Sequence, residues 1–321
     1  MTAILFWSTF DYRKDTSIKK WKSRSIDLSP FHVLPLASHA KYNNDAILYT
    51  YQTETLLPEI EGVTVKDAAE IFPIDDAFYA LLGGHSIAHI ADLVRLRAAS
   101  ECSGTVVDMD TILLRPLPQC DGFFASIPAK ATGGVAPQWG NNHPPLTVHD
   151  CSWSGKALAN FPIKVSKVMA PYTRALSRKI GRTLLKPPQR NSKGWNYVMW
   201  TLKEIMKIDK DAIVAPPMAF GPLPAWLTAG KCYSLEAPTR LNGNTTLYGY
   251  TLPSINDILN NTFMVQHFFE STFKKSKRIN QGFWDADVPD GCLVAQEAKH
   301  IMGDNWRQQL SVLCSYTGAT K

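Results

Sequence analysis

The sequence contains no uninterrupted apolar stretch of about 18 residues, which is the length that a membrane-spanning helix requires. Residues 3–7 form an apolar run that is too short for such a helix, and no basic n-region or cleavage site accompanies it. No internal repeat or low-complexity tract is present either. We therefore expect a cytoplasmic globular chain, with residues 3–7 as a buried first strand.

Cysteine-based frameworks are not indicated. The six cysteines are widely spaced, with no CxxC pair and no histidine at zinc-finger spacing. A structural zinc site is therefore not expected. A chain of 321 residues can bury a sufficient core without covalent links, so reduced thiols are the simpler interpretation, and an oxidised pair stays open.

Residues 151–203 contain no aspartate or glutamate, although the whole chain has a net charge of only +6. A second basic run occupies residues 274–278. One interpretation is a solvated face and loop; the other is a surface for an anionic partner, either a phospholipid membrane, a lipid-pyrophosphate acceptor or a charged glycan. The second interpretation predicts peripheral contact with an anionic membrane. Nucleic acid is not expected, because no nucleic-acid-binding motif accompanies the charge.

Local patterns predict alternating strands and helices. Buried strands are predicted over residues 3–7 and 46–51. Between them, residues 17–25 predict a short amphipathic helix. The chain is therefore expected to open as a β-α-β unit with a parallel sheet. Residues 85–100 predict a helix that Gly104 ends, and residues 105–107 predict a strand. Farther along we expect a helix over residues 195–207, a strand over 212–215 and a turn over 216–224. The predicted fold class is α/β, with a mixed, mainly parallel sheet flanked by helices.

Asp108 and Asp110 come directly after the strand predicted over residues 105–107. Two carboxylates one residue apart can face the same side of an extended segment and supply oxygen ligands for Mg²⁺ or Mn²⁺. Open α/β sheets bind ligands beyond the carboxyl ends of their strands. Such a cation would bridge the diphosphate of a sugar nucleotide and neutralise the charge of the leaving group. A pair of turn-capping aspartates is the alternative.

The surrounding sequence resembles a known family. Residues 91–95 read Ala-Asp-Leu-Val-Arg, and residues 107–117 read Val-Asp-Met-Asp-Thr-Ile-Leu-Leu-Arg-Pro-Leu. This arrangement is similar to the DXD-containing sugar-binding glycosyltransferases, which include α-1,4-galactosyltransferases, the yeast initiating α-1,6-mannosyltransferase and capsule-synthesis enzymes. Those proteins carry Ser-Asp-x-x-Arg on a helix, then Gly-Gly-x-Tyr-x-Asp-x-Asp, then a basic-Pro-Leu tail. Ser103 and Val106 depart from the pattern, in place of its first glycine and its tyrosine.

By this resemblance, Asp92 and Arg95 would hold the nucleotide and the sugar or phosphate, and Asp108 and Asp110 would bind the metal. Without the resemblance, Asp92 and Arg95 would be interpreted as a surface ion pair three residues apart on one helix. Two later segments also resemble the family. Gly221 and Pro222 match its Gly-Pro element at the donor. Residues 267–273 resemble its His-x-Trp-x-x-Ser-Trp segment, with phenylalanine at both tryptophan positions. By this resemblance His267 would be a further metal or pyrophosphate ligand. A buried histidine at the end of a strand is the alternative.

The resemblance implies a GT-A-like glycosyltransferase of polysaccharide biosynthesis that depends on Mn²⁺ or Mg²⁺ and retains the anomeric configuration. The donor would be a UDP- or GDP-sugar, and the acceptor a glycan or a lipid-linked molecule. We expect one domain over residues 1–321, with a nucleotide-sugar-binding half over 1–120 and an acceptor-binding half over 121–321. No catalytic base or nucleophile can be chosen among the available carboxylates Asp150, Glu204 and Asp211.

Two other functions remain open. Residues 105–110 also resemble the strand and Asp-x-Asp signature of haloacid-dehalogenase-type phosphatases, with Asp108 as nucleophile and Asp110 as acid/base, and Asp304 could imitate the later acidic motif of those enzymes. Against this, that signature normally opens the fold, whereas here about a hundred residues precede it. The second alternative is a non-catalytic module that binds membranes or polyanions through residues 151–203.

Overall fold

The structure is a computed structural model that describes residues 2–25, 28, 30–43, 45–54, 59–82, 86–102, 104–117, 122–128, 146–155, 213–214, 217–220, 222–223, 241–247, 250–267 and 288–315. The helix predicted over residues 195–207, the basic residues 156–203 and 274–278, and most of the segment 267–273 lie outside these ranges.

A seven-stranded sheet runs through the described residues. Its strands are β1 (Ala3–Phe6), β2 (Ala46–Thr50), β3 (Val63–Asp67), β4 (Thr105–Val107), β6 (Gly122–Pro128), β7 (Leu146–Gly155) and β8 (Ile213–Val214), in the order β3-β2-β1-β4-β7-β6-β8. The pairs β2–β3, β1–β2, β1–β4 and β6–β8 are parallel, and β7 pairs antiparallel with β4 and β6. The prediction of an α/β fold with a mixed, mainly parallel sheet is therefore confirmed.

Two short strand pairs complete the β structure of the described residues. Strand β5 (Thr111–Leu113) pairs antiparallel with β11 (Met264–Gln266), away from the main sheet. We call this pair the β5–β11 ribbon. Strands β9 (Thr246–Leu247) and β10 (Tyr250–Thr251) form a second antiparallel pair.

Helices cover both faces of the main sheet because the strands alternate their apolar side chains. On β1, Ala3 and Leu5 lie in one core cluster, with side chains from α2 (Pro30–Asn43), α7 (Leu293–Met302) and α8 (Trp306–Ser315). Ile4 and Phe6 lie in the other cluster, with side chains from α1 (Ile18–Lys22), α3 (Ile74–Leu82) and α4 (Ile87–Cys102). Side chains in a strand alternate between the two faces, so the fold has three layers, α/β/α.

The C-terminal helices α7 and α8 pack on the N-terminal part of the chain. Leu293 and Leu310 share a core cluster with Leu5 and Leu48. Lys41 on α2 also donates a hydrogen bond of 2.6 Å from Nζ to the carbonyl oxygen of Ile301, at the C-terminal end of α7. The division into halves at residue 120 stays a prediction, but residues from both of those halves build this core.

The connections differ from the predictions in two places. The predicted helix over residues 17–25 is present as α1, which Ser17 caps by accepting from the Lys20 backbone N–H. A second, longer helix, α2, follows it before β2 and was not predicted. The predicted turn over residues 216–224 contains the short helix α5 (Pro217–Phe220). Helix α6 (Ile255–Asn261) begins at a capping box formed by Ser254 and Asp257.

Gly104 allows β4 to lie close to β1. A Cβ atom at this position would come within 2.7 Å of Ile4 Cγ1 and 3.0 Å of the Thr2 carbonyl oxygen, so a side chain would push the two strands apart. The absence of a side chain at Gly104 therefore allows β1 and β4 to pair just before the Asp108–Asp110 turn. Among the described residues, no helix is long and apolar enough to cross a membrane.

Candidate functional site

A tight turn places two carboxylates at the carboxyl end of β4. The Thr111 backbone N–H donates a hydrogen bond of 3.1 Å to the Asp108 carbonyl oxygen, which closes the turn between β4 and β5. Met109, between the two aspartates, is buried in the core, whereas Asp108 and Asp110 are both partly exposed. The buried methionine anchors the turn, and the acidic side chains on either side of it remain accessible.

Helix α4 brings Arg95 to this turn. Its neighbours Ile90 and Val94 are buried in the core, and the Arg95 side chain is only 4% exposed. Its guanidinium Nη1 forms an ion pair with Asp108 Oδ1, and its Nε donates to the Ala91 carbonyl oxygen at 3.3 Å. The Arg95 side chain is thus buried rather than at the surface. Asp92 lies on the same helix, but its side chain lies outside the described residues.

The β5–β11 ribbon carries His267 to the other end of the same turn. Gln266 pairs with Thr111, and one step farther the His267 backbone N–H donates to the Asp110 carbonyl oxygen at 2.9 Å. Residues that lie directly opposite on antiparallel strands have their side chains on the same face, so His267 and Asp110 are cross-strand neighbours. The structure thus brings the His267 backbone to the Asp-x-Asp turn, and its side chain is fully buried at the end of β11. Its role as a metal or pyrophosphate ligand stays a prediction.

His267 meets an acid that the sequence analysis missed. Its Nε2 lies 2.7 Å from Oε2 of Glu297 on α7, and both side chains are fully buried. Burial raises the pKa of Glu297, and the adjacent His267 opposes that rise. A sequence signal was available: Leu293, Val294 and Ile301 form the apolar face of this helix, and Glu297 falls on the same face at helical spacing.

Helix α2 holds the other edge of β5 with side chains. The Leu113 backbone N–H donates to Ser38 Oγ at 2.9 Å, and His39 Nε2 lies 3.2 Å from the Thr111 carbonyl oxygen. Burial lowers the pKa of His39 to about 4, so the ring is neutral at pH 7 and its Nε2–H donates to that carbonyl. Strand β5 therefore has hydrogen-bond partners on both edges, β11 on one and α2 on the other, which fixes the position of Asp110.

His300, one turn after Glu297 on α7, provides a further contact to this region. Its Nε2 lies 3.0 Å from the Leu114 carbonyl oxygen, directly after β5. The β5–β11 ribbon is thus held from one side by α2 and from another by α7.

The donor set suits a hard divalent cation only in part. The two carboxylates of the turn offer oxygen ligands at an accessible edge of the sheet, which suits Mg²⁺ or Mn²⁺. In the part of the chain that the structure describes, however, no three His, Cys, Asp or Glu side chains are close enough to enclose a metal by themselves. Mg²⁺ is commonly held by one or two carboxylates together with substrate phosphates and water, and the turn fits that kind of site rather than a complete protein cage.

Of the other residues that the resemblances singled out, the structure describes Pro222 and Asp304. Pro222 is buried just after α5, and Gly221 lies outside the described residues. Helix α5 contacts the start of β11, since the Phe263 backbone N–H donates to the Ala219 carbonyl oxygen at 2.7 Å. Asp304 lies at the far end of α7, where its side chain is 83% exposed and forms an ion pair with Lys299.

Comparison with known proteins gives little further guidance. No protein-family profile matches the chain, and no curated protein matches it. Among solved structures, the chain is similar to one described as "PaToxG Glycosyltransferase", with 12% sequence identity and a TM-score of 0.29, over 66% of this chain and 78% of that one. At this TM-score the similarity does not establish a common fold.

Proposed function

We propose that the protein is a metal-dependent glycosyltransferase that uses a nucleotide-diphosphate sugar. The observation that carries the proposal is that two distant segments meet one turn: Arg95 of α4 pairs with Asp108, and the His267 backbone N–H, at the end of β11, bonds to the Asp110 carbonyl oxygen. The family resemblance assigned donor and metal roles to these four residues from sequence alone. An Asp-x-Asp turn that occurred by chance would not be expected to lie beside the arginine and the histidine that the family resemblance singled out.

The turn and the two residues that meet it have distinct roles in this proposal. Asp108 and Asp110 supply carboxylate oxygens to Mn²⁺ or Mg²⁺. His267 contacts the turn through its backbone N–H, and we propose that its side chain becomes a further ligand only in the donor-bound site. Arg95, held by Asp108 and largely shielded from water, keeps its positive charge beside the donor diphosphate, where a low local dielectric strengthens its effect. The bound metal would supply Lewis-acid stabilisation of the diphosphate leaving group.

The reaction breaks the bond between the sugar C1 and the diphosphate oxygen, and the electron pair leaves with the diphosphate. The acceptor hydroxyl oxygen forms the new bond to C1, and its proton passes to the departing diphosphate oxygen. Arg95 stabilises the negative charge as it develops on the leaving diphosphate. In agreement with the resemblance, we propose retention of configuration at C1 and a glycan or lipid-linked acceptor.

The metal is proposed to bind together with the donor. Two turn carboxylates without a third close acidic or histidine side chain make a weak site alone, and the donor phosphates would complete the coordination. We therefore expect Mn²⁺ to bind weakly to the chain alone and tightly when a UDP- or GDP-sugar is present. Asp92, Gly221 and Pro222 are proposed to contact the donor, and the basic residues 156–203 an anionic acceptor or membrane surface.

A thermal-shift screen of UDP- and GDP-sugars, with and without Mn²⁺, tests the proposal. A ligand at a hundredfold excess over its Kd stabilises the folded state by about 2.7 kcal/mol, which is readily measured. We expect stabilisation by at least one donor, and only in the presence of Mn²⁺. No stabilisation by any donor would overturn the proposal.

Asp110→Ala is the variant that tests the site, and Asp304→Ala is its matched control. Both remove one carboxylate, but Asp304 is exposed at the end of α7. We expect Asp110→Ala to lower donor hydrolysis and transfer by about 10²–10³-fold, and Asp304→Ala to leave both unchanged. A phosphatase would instead hydrolyse p-nitrophenyl phosphate in a reaction that requires Asp108, and this result would contradict the proposed transfer.

A further inference from the structure

Arg115, directly after β5, is a partly buried arginine that the proposed reaction does not use. Its guanidinium carbon lies 5.8 Å from the centre of the Phe263 ring. Within the described residues, its buried Nε meets no hydrogen-bond acceptor, and no carboxylate forms an ion pair with it. Shielding a charged N–H from water without an acceptor costs stability. The packing of the fold therefore does not account for a guanidinium at this position.

Arg307 on α8 shows how a structural arginine is satisfied in this fold. Its guanidinium carbon also lies over an aromatic ring, 4.3 Å from the centre of Trp306. Its Nη2, however, donates to the Val288 carbonyl oxygen and to Asp290 Oδ1, the latter at 2.8 Å. Arg115 has the aromatic contact without such acceptors, so the oxygens of a bound anion can take their place.

Tyr42, at the C-terminal end of α2, adds a second donor beside Arg115. Burial raises the pKa of Tyr42, and the nearby positive charge of Arg115 opposes that rise, so the phenol keeps its hydrogen at pH 7. In the part of the chain that the structure describes, this hydroxyl has no hydrogen-bond partner. Tyr42 and Phe263 both pack on the small apolar cluster around Met264. The two rings and the guanidinium thus share one apolar base.

The charges around these two donors are positive. Lys41 Nζ lies 5.3 Å from the centre of the Tyr42 ring, where a backbone carbonyl at the end of α7 accepts from it at 2.6 Å. Asp304, the exposed acid just beyond α7, already forms an ion pair with Lys299. The local electrostatic field therefore favours an anion over a cation.

We propose that Arg115 and Tyr42 form a binding site for an oxyanion, which is the phosphate or carboxylate group of a small molecule. The guanidinium fork and the phenolic hydroxyl donate to oxygens of the same group, a geometry that suits phosphates and carboxylates alike. Arg115 is five residues beyond Asp110, and an extended chain of that length spans roughly 16 Å. The site is therefore separate from the Asp-x-Asp turn, and the inference does not rest on the proposed function.

Direct observation of the Arg115 Nε–H by NMR tests the inference. Wild-type protein that contains ¹⁵N-labelled arginine is titrated with sodium phosphate and, separately, with sodium acetate, with EDTA present and the ionic strength held constant by NaCl. Arg115→Lys identifies the Arg115 signal by its loss. We expect a saturable shift of this signal with at least one of the two anions, and the anion that causes it identifies the class of ligand. No saturable shift with either anion would overturn the inference.

Arg115→Met and Tyr42→Phe test the two donors, with the Leu117 backbone amide signal as a reporter that both variants retain. Methionine keeps the apolar contact with Phe263 and removes the charged fork. We expect Arg115→Met to weaken anion binding by at least about tenfold, and Tyr42→Phe to weaken it by about two- to tenfold. Equal affinity in Arg115→Met and the wild-type protein would show that the anion binds elsewhere, and the inference would be wrong.

Arg307→Met is the matched control, because it removes an arginine that also lies over an aromatic ring but already has acceptors. We expect it to leave anion binding within about twofold of wild type and to lower the thermal midpoint in anion-free buffer. Arg115→Met should leave that midpoint unchanged or raise it. A fall for Arg115→Met as large as that for Arg307→Met would show that Arg115 supports the fold through partners within the chain, which contradicts the inference.

Discussion

The ion pair between Arg95 and Asp108 predicts an asymmetry between two substitutions. The Arg95 side chain is 4% exposed and the Asp108 side chain 28% exposed. Asp108→Ala therefore leaves a guanidinium without this counter-charge where water hardly reaches it, and we expect a loss of about 2–4 kcal/mol in the free energy of unfolding. Arg95→Met keeps most of the buried volume and leaves a carboxylate that can hydrate, so the expected loss is about 1 kcal/mol.

Urea denaturation of the metal-free proteins, followed by tryptophan fluorescence and circular dichroism, measures both values. The double variant should lose less stability than the two single losses together, because each single variant already breaks the pair. A loss below about 0.5 kcal/mol for Asp108→Ala would show that the pair is no more than a surface interaction. A larger loss for Arg95→Met than for Asp108→Ala would refute the reasoning from burial.

Three further predictions concern the support of the turn. His39→Phe should lower the free energy of unfolding by about 1–3 kcal/mol in urea denaturation, because the Thr111 carbonyl oxygen loses its hydrogen-bond donor. His39→Gln should lower it less, since glutamine can still donate. Equal losses for the two variants would argue against this hydrogen bond. Burial lowers the pKa of His39 to about 4 and that of His32 to about 3, so the unfolded chain binds more protons than the folded chain below pH 6.5. The free energy of unfolding should therefore fall between pH 6.5 and pH 4, and this fall should be about 3 kcal/mol smaller in His39→Gln. Urea midpoints that shift equally with pH in the wild-type protein and in His39→Gln would contradict this prediction. Gly104→Ala should lower the free energy of unfolding by about 1–3 kcal/mol, since the added Cβ would lie 2.7 Å from Ile4 Cγ1 on β1. A thermal midpoint unchanged from wild type would show that β1 and β4 can move apart at no cost.

The parts of the fold that sequence predicted are those with strong local patterns. Strand β4 is a short apolar run after a glycine, and the apolar spacing of α4 predicted the helix over nearly its true length. Helix α2 was missed because residues 32–36 are all buried, so it has no polar face to give a helical period. It also contains Pro35, which usually marks a helix end rather than a helix interior.

The candidate site depends on contacts that no local pattern reveals. Strands β5 and β11 have only three residues each, and they form because they pair across about 150 residues of chain. The family resemblance singled out His267, whereas its partner Glu297 had only its place on the apolar face of α7 to mark it and no motif around it. Ser38 and His39 were also missed, because their hydrogen bonds to β5 depend on a helix that was not predicted.

Asp108 and Asp110 are proposed to bind a divalent metal together with a nucleotide-sugar donor. Crystals grown with Mn²⁺ and the donor found by the screen test it most directly, through anomalous scattering at the manganese edge. We predict a single manganese peak within coordination distance of the Asp110 carboxylate and of the donor phosphates. A bound donor whose phosphates lie away from this turn, or a manganese peak that Asp110 does not contact, would contradict the account.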